Sequence, residues 1–232
     1  MSALGERLRY RRARQRYRQH PFPEPALEQL LDTPLTDPKR RWHEGSWLAI
    51  DLETTGLEPD RDYIISIGSV AIERGRIRLD TARHQLIDSR NLVGDSATIH
   101  HLRDADLSEG VPLAVALLTL ARDLTGRYAL VHHRPMDEGF LHAAYREQFG
   151  VDWVHPLADT LALEKRRLMR RNTSLPEGSF RLGECRRRYG LPEYPAHNAL
   201  QDAIACAEVF MAWAQHHERQ GPTIRQCLRL SR

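Results

Sequence analysis

The stretch SWLAIDLETTG, Ser46 to Gly56, decides how the rest of the chain is read. Trp47 to Ile50 form a short apolar run that ends in acids, the pattern of a buried strand emerging at a sheet edge. Asp51 and Glu53 are two residues apart, so on a strand they point to the same face. Two neighbouring carboxylates repel each other, and burying them is costly unless something compensates. A divalent cation is the usual compensation; a solvent-exposed strand end accounts for the pair equally well. Thr54, Thr55 and Gly56 then open a loop offering hydroxyls and a backbone that a ligand can approach closely.

Downstream, YIISIGSVAIE (63–73) and IRLDTARHQLI (77–87) are two further strands, and Arg74-Gly75-Arg76 between them is a hairpin signal. Together the three predict an antiparallel meander. From Pro112 the apolar spacing becomes helical and stops at Gly126. RYALVHH (127–133) is a fourth strand. Pro135 starts a helix with acids in its first turn, and Gly150 stops it. A short strand is expected near Trp153 and Val154, then helices over Thr160–Met169, Leu182–Tyr189 and Asn198–His217, with a loop from Asn172 to Gly178. Three strands followed by alternating strands and helices predict an α/β chain: a mixed sheet with helices packed on it.

The 232 residues, 41% hydrophobic and 28% charged, suit a globular chain with one sizeable core plus an extension. The longest apolar stretch, Val111 to Ala121, is too short to span a bilayer, which takes about 20 residues. No signal peptide is visible, because apolar runs begin only after residue 45. Cys185, Cys206 and Cys227 have no CxxC spacing, so a cytoplasmic, reducing setting is expected. The net charge of +3 is unevenly spread: residues 1–44 carry ten Lys+Arg against six Asp+Glu. Seven arginines between Arg7 and Arg18 face only Glu6, and a second basic cluster runs from Lys165 to Arg188. Clustered guanidinium groups attract polyanions such as nucleic acids; a solvated helix face is the plainer reading. The expected division is an Arg-rich helix and Pro-rich linker at 1–44, a catalytic domain at 45–217, and a short C-terminal tail at 218–232.

Asp137 follows the strand ending Val131-His132-His133, in the first turn of its helix. Asp202 lies early in the last helix, five residues after His197. Singly, each has an ordinary explanation as a helix-terminal or solvated group. In combination, DLETTG, VHHRPMDEGFL and HNALQD occur in order and in matching structural contexts. This resembles the DEDDh exonucleases of the DnaQ-like, RNase T-like superfamily. Asp51 and Glu53 match its first motif, Asp137 its second, and His197 with Asp202 its third. Asp159 in ADTLALEK resembles the family's helix start. The second motif departs from the family's usual His-Asn-Ala: here it reads His132, His133, Arg134, Pro135, Met136, Asp137.

The resemblance implies an RNase H-like mixed five-stranded sheet flanked by helices. It also implies metal-dependent 3′-to-5′ hydrolysis of single-stranded DNA, RNA or short oligonucleotides with a free 3′ end, releasing nucleoside 5′-monophosphates. Two Mg²⁺ ions about 4 Å apart stabilise the charge of such a reaction and activate water, with Mn²⁺ able to substitute. By resemblance, Asp51, Glu53, Asp137 and Asp202 hold the metals, and His197 is the general base, its ordinary pKa of about 6.5 suiting that role. Thr54, Thr55 and Gly56 would hold the terminal nucleotide and Leu57 would wedge against its base. His100 and His132 fall where family members contact the strand. The cluster from Lys165 to Arg188 would hold the phosphate backbone. The partners implied are a nucleic-acid strand and the mononucleotide product, with a homodimer possible and no membrane. A proofreading subunit in a polymerase complex and a non-catalytic nucleic-acid-binding module are the alternatives.

Overall fold

The computed structural model describes residues 3–19, 24–88, 110–169, 176–195, 197–217 and 220–231. Five strands form one sheet in the order β3-β2-β1-β4-β5. They are β1 (Ser46–Thr54), β2 (Ile64–Glu73), β3 (Arg76–Leu86), β4 (Tyr128–Val131) and β5 (Leu157–Asp159). The first three form the expected antiparallel meander, and β4 and β5 join parallel to β1. The hairpin between β2 and β3 turns through left-handed Arg74 and Gly75. The outer strand β3 is studded with Arg76, Arg78, Asp80 and Arg83, charges that discourage further edge pairing.

Alternation along β1 assigns its two faces. Leu48, Ile50 and Leu52 enter one core, together with residues of α3 (Leu113–Leu124) and α4 (Arg134–Phe149). Trp47 and Ala49 enter the other, against α5 (Thr160–Met169), α7 (Ala199–His217) and α8 (Ile224–Leu230). Asp51 and Glu53 continue the second series, so strand periodicity directs both carboxylates to the face that α7 covers. A shorter helix, α6 (Leu182–Arg188), packs on α7.

The strand expected at Trp153 and Val154 lies instead at Leu157–Asp159. Pro156 has no N–H to give a ladder, so pairing begins there only through its carbonyl, which accepts from Ala129 N–H at 3.0 Å. Trp153 fills the first core rather than the sheet.

Both ends of the chain differ from the reading as extension and tail. The helices α1 (Ala3–Arg18) and α2 (Pro25–Asp32) contribute Tyr17, Ala26, Leu27 and Leu30 to the first core. In α8, Ile224, Cys227 and Leu230 are buried in the second core beside Trp42. The two ends are also laced together. Trp42 N–H donates to the Pro222 carbonyl at 3.0 Å, Ile224 N–H to that of Arg40 at 2.9 Å, and the Arg41 guanidinium to that of Gly221 at 2.7 Å. Among the described residues no helix is long and apolar enough to cross a membrane.

Candidate active site

Three carboxylates meet where β1 leaves the sheet. Asp51, Glu53 and Asp202 each offer an oxygen, and these atoms lie within 4.8 Å of one another. Asp51 and Glu53 come from β1, Asp202 from the first turn of α7. What lets the helix come so close is Gly68, the partner of Asp51 on β2. A Cβ there would sit 2.1 Å from the backbone carbon and oxygen of Ala199, so only glycine leaves room for α7.

Asp137 completes the cluster from the other side, in the first turn of α4 and only 4% exposed. It stands outside the close trio, but its charge reaches Asp51. Burial, then Asp137, Asp202 and Glu53, push the Asp51 carboxyl well above the usual carboxylate range. Burial raises Asp137 well above its usual value, and Asp159 adds to this. Burial, then Asp202, raises Glu53, while burial raises Asp202. Four carboxyls held together at such a cost in repulsion are what a bound cation would offset. The donor set is all oxygen and anionic, which suits a hard divalent ion such as Mg²⁺ or Mn²⁺. The residues therefore fit a divalent metal.

His197 is exposed on the segment leading into α7, with a left-handed φ of 69°. Its N–H donates to Asp202 Oδ2 at 3.0 Å. Its imidazole is near enough to favour the ionised forms of Glu53 and Asp202. His197 and Asp202 are thus anchored to the same helix start.

The loop after β1 is held by a residue that sequence reasoning did not single out. Asp62 accepts from the Thr55 hydroxyl at 3.2 Å and from Glu58 N–H at 2.8 Å. Its carboxylate also occupies the space that a Cβ on Gly56 would need. The Thr54 hydroxyl donates to the Gly56 carbonyl at 2.6 Å. Leu57 is left 79% exposed at the tip, an apolar side chain that none of the described residues covers.

Asp159 plays a supporting part. Buried at the end of β5, it accepts from the N–H groups of His133 and Arg134 at 3.1 Å and of Leu161 at 2.9 Å. It thereby fixes the start of α4, including His133 at φ 112°, one turn before Asp137. The departures in the second motif are absorbed locally: the Arg134 guanidinium pairs with Glu138 at 2.7 Å.

His132, expected to contact the substrate strand, is engaged within the protein through both ring nitrogens, Nδ1 with Thr160 Oγ1 at 2.7 Å and Nε2 with the Phe180 carbonyl at 2.9 Å. Phe180 offers only an acceptor, so Nε2 carries the proton; burial lowers the ring's pKa and favours this neutral form. His132 ties β4 to the loop before α6. His100 lies outside the described residues. The basic cluster from Lys165 to Arg188 is also partly spent inside. Buried Glu164 pairs with Arg167 at 3.0 Å and Arg188 at 3.4 Å, and buried Arg186 pairs with Glu208.

An exonuclease family model of the RNase T type matches residues 48–210, a span containing every one of these carboxylates. The chain belongs to the exonuclease family. Over 200 residues it is 29% identical to a PolC-type DNA polymerase III of Thermotoga maritima, covering 86% of this chain and 14% of that protein. It is 28% identical over 177 residues to the DNA polymerase III subunit epsilon of Treponema pallidum, covering 75% and 79%. This exonuclease chain therefore spans only a small part of the PolC-type relative. Among solved structures, a zinc-bound complex of E. coli exonuclease I with single-stranded DNA superposes with a TM-score of 0.64 at 16% identity, covering 75% of this chain and 42% of that one. At that identity the likeness is one of fold, and it agrees with the expected RNase H-like five-stranded sheet.

Proposed function

We propose that this chain hydrolyses single-stranded nucleic acid from a free 3′ end, releasing nucleoside 5′-monophosphates, with divalent metal held by Asp51, Glu53, Asp202 and Asp137. The observation that carries the proposal is the convergence of the close trio, with Asp137 beside it, at the mouth of β1. Two bound Mg²⁺ ions would offset this negative charge, stabilise charge developing on the phosphoryl and leaving oxygens, and make water more acidic. The side chains of the loop after β1 then have a positional role. Exposed Leu57 supplies an apolar wedge against the terminal base, and the braced backbone around Thr54, Thr55 and Gly56 receives the terminal sugar and phosphate. His197, exposed at its ring but fixed at its backbone by Asp202, takes the proton from the attacking water.

A single-stranded oligonucleotide labelled at its 5′ end tests the reading. With Mg²⁺ or Mn²⁺ it should shorten one nucleotide at a time; with chelator, or in Asp51→Asn, it should stay intact. Protein that binds the strand yet never shortens it with either metal would be a nucleic-acid-binding module instead. A second reading, a proofreading module working beside a polymerase, is favoured by the two DNA polymerase III relatives. Its test is stable co-elution with a polymerase catalytic subunit and preferential removal of a mispaired 3′ nucleotide.

A further inference from the structure

The acidic cluster occupies one end of α7; a basic cavity occupies the other. It encloses about 230 Å³ between α5, the last turns of α7 and α8. Leu163 and Leu230 give it an apolar side, while Arg166, Arg167, Trp213 and His216 supply polar and aromatic groups. Among the described residues no acidic side chain lines it. From Asp202 to His216 the helix rises about 21 Å, so the two sites are separate.

The groups in this wall have different duties. Arg167 is clamped by Glu164 through two contacts of 3.0 and 3.1 Å and lies over the Tyr189 ring, which makes it a rigid surface. Arg166 is exposed, and its 3.4 Å contact to the Arg229 carbonyl leaves its positive charge unneutralised by that partner. The His216 ring packs against Tyr189 at 5.3 Å. Its Nδ1 is 2.8 Å from the Ala212 carbonyl, an oxygen that can only accept, so Nδ1 carries a proton and Nε2 is the remaining polar atom. Trp213 adds a buried indole N–H that has no acceptor among the described residues. A cationic head beside aromatic faces is what a single strand requires: charge for the phosphate, a flat surface for the base.

We propose that this cavity is a second contact for the nucleic-acid strand, taking a backbone phosphate against Arg166 and an unstacked base against His216. The inference rests on the proposed exonuclease reading, since it assigns the upstream part of the same strand. At ~3.4 Å per stacked nucleotide, the separation along α7 corresponds to about six nucleotides. A dinucleotide in the acidic site cannot reach the cavity, whereas a strand of about twelve nucleotides can.

The test uses Arg166→Ala, His216→Ala and the double variant, all at exposed positions distant from the acidic cluster. For the double variant, KM for a strand of about twelve nucleotides should rise roughly tenfold, while turnover of a dinucleotide stays at the wild-type value. Binding of the longer strand in chelator, read by fluorescence anisotropy, should weaken in parallel and lose about one unit of salt dependence. An unchanged KM and unchanged binding, or an equal effect on the dinucleotide, would overturn the inference. So would a loss of affinity for polyglutamate with none for the strand, which would assign the cavity to an acidic protein. If wild-type protein shortens no substrate, the catalytic reading fails, and anisotropy in chelator still decides whether the cavity binds.

Discussion

Gly68→Ala tests the geometry on which the proposed metal site depends. The new methyl group would lie 2.1 Å from the Ala199 carbonyl carbon and oxygen and 2.3 Å from Leu200 N. Ordinary contact begins at 3.4 Å, so about 1.3 Å must be recovered by moving backbone against backbone. Neither β2, locked between β1 and β3, nor α7, buried along Ala203, Cys206 and Phe210, can absorb this by a side-chain rotation. The start of α7 is the freer of the two, and it carries Asp202 and the segment with His197. A misplacement of about 1 Å at reacting groups costs about 100-fold in rate. Overpacking of this kind should cost ~1–3 kcal/mol of stability. Steady-state release of mononucleotides with saturating Mg²⁺ gives the first quantity, and thermal unfolding followed by circular dichroism the second. The expected result is a folded protein with kcat reduced ~100-fold and a weaker response to Mg²⁺. A variant that stays within a few-fold of wild-type kcat would refute the reasoning, because the approach of α7 to Asp51 would then be slack.

Asp51, Glu53, Asp137 and Asp202 all have carboxyls raised above their usual values of 3.8 and 4.5. Raised folded values mean that the native state takes up protons more readily than the unfolded chain. Their contribution to metal-free stability is therefore least favourable above the raised values and improves as pH falls through them, toward the ordinary range. The rise in Tm on adding Mg²⁺ should be larger near about pH 8 than near about pH 5; scanning calorimetry checks the sign. His197→Ala should lower kcat by roughly 10²–10⁴-fold while keeping the Mg²⁺-induced rise in Tm, which separates base from ligand. Asp159→Ala orphans three backbone N–H groups at about 1–3 kcal/mol each, so the urea midpoint should fall sharply and Asn should restore part of it. Leu27→Ala, in a segment that reads as linker, should cost ~2–5 kcal/mol by the same measurement.

The meander and the acidic pair were legible because strand periodicity is local: alternation in Trp47 to Glu53 fixes both a buried face and the side on which the carboxylates emerge. Helix limits at Gly126, Gly150 and Gly190 were legible because a left-handed stop is a one-residue property. What depends on distant partners was not. The Pro-rich stretch from Pro21 to Pro38 reads as a linker holding one short helix, Ala26 to Leu31, and that helix is present as α2; what the sequence did not show is that Ala26, Leu27 and Leu30 pack into the first core beside α3. Gly68 carried a signal, a glycine inside an otherwise apolar strand, which marks close backbone approach; the approaching element is some 130 residues away in sequence. Charge counting gave the net charge of the stretch from Glu164 to Arg188 but not its pairing: Glu164 takes Arg167 one turn on and Arg188 across the fold, and Glu208, outside the stretch, takes Arg186. His132 was assigned to the strand by its motif position, whereas its partners Thr160 and Phe180 lie 28 and 48 residues on.

The lacing of Arg40–Trp42 to Gly221–Ile224 sets a timetable for biosynthesis. The Arg41 guanidinium waits for a carbonyl 180 residues later. At roughly 5–20 residues per second, a ribosome takes about 9–36 s to deliver it. Throughout that interval Trp42 lacks the aliphatic cover of Ile224, and the nascent chain presents an unfinished apolar seam to the cell's chaperones.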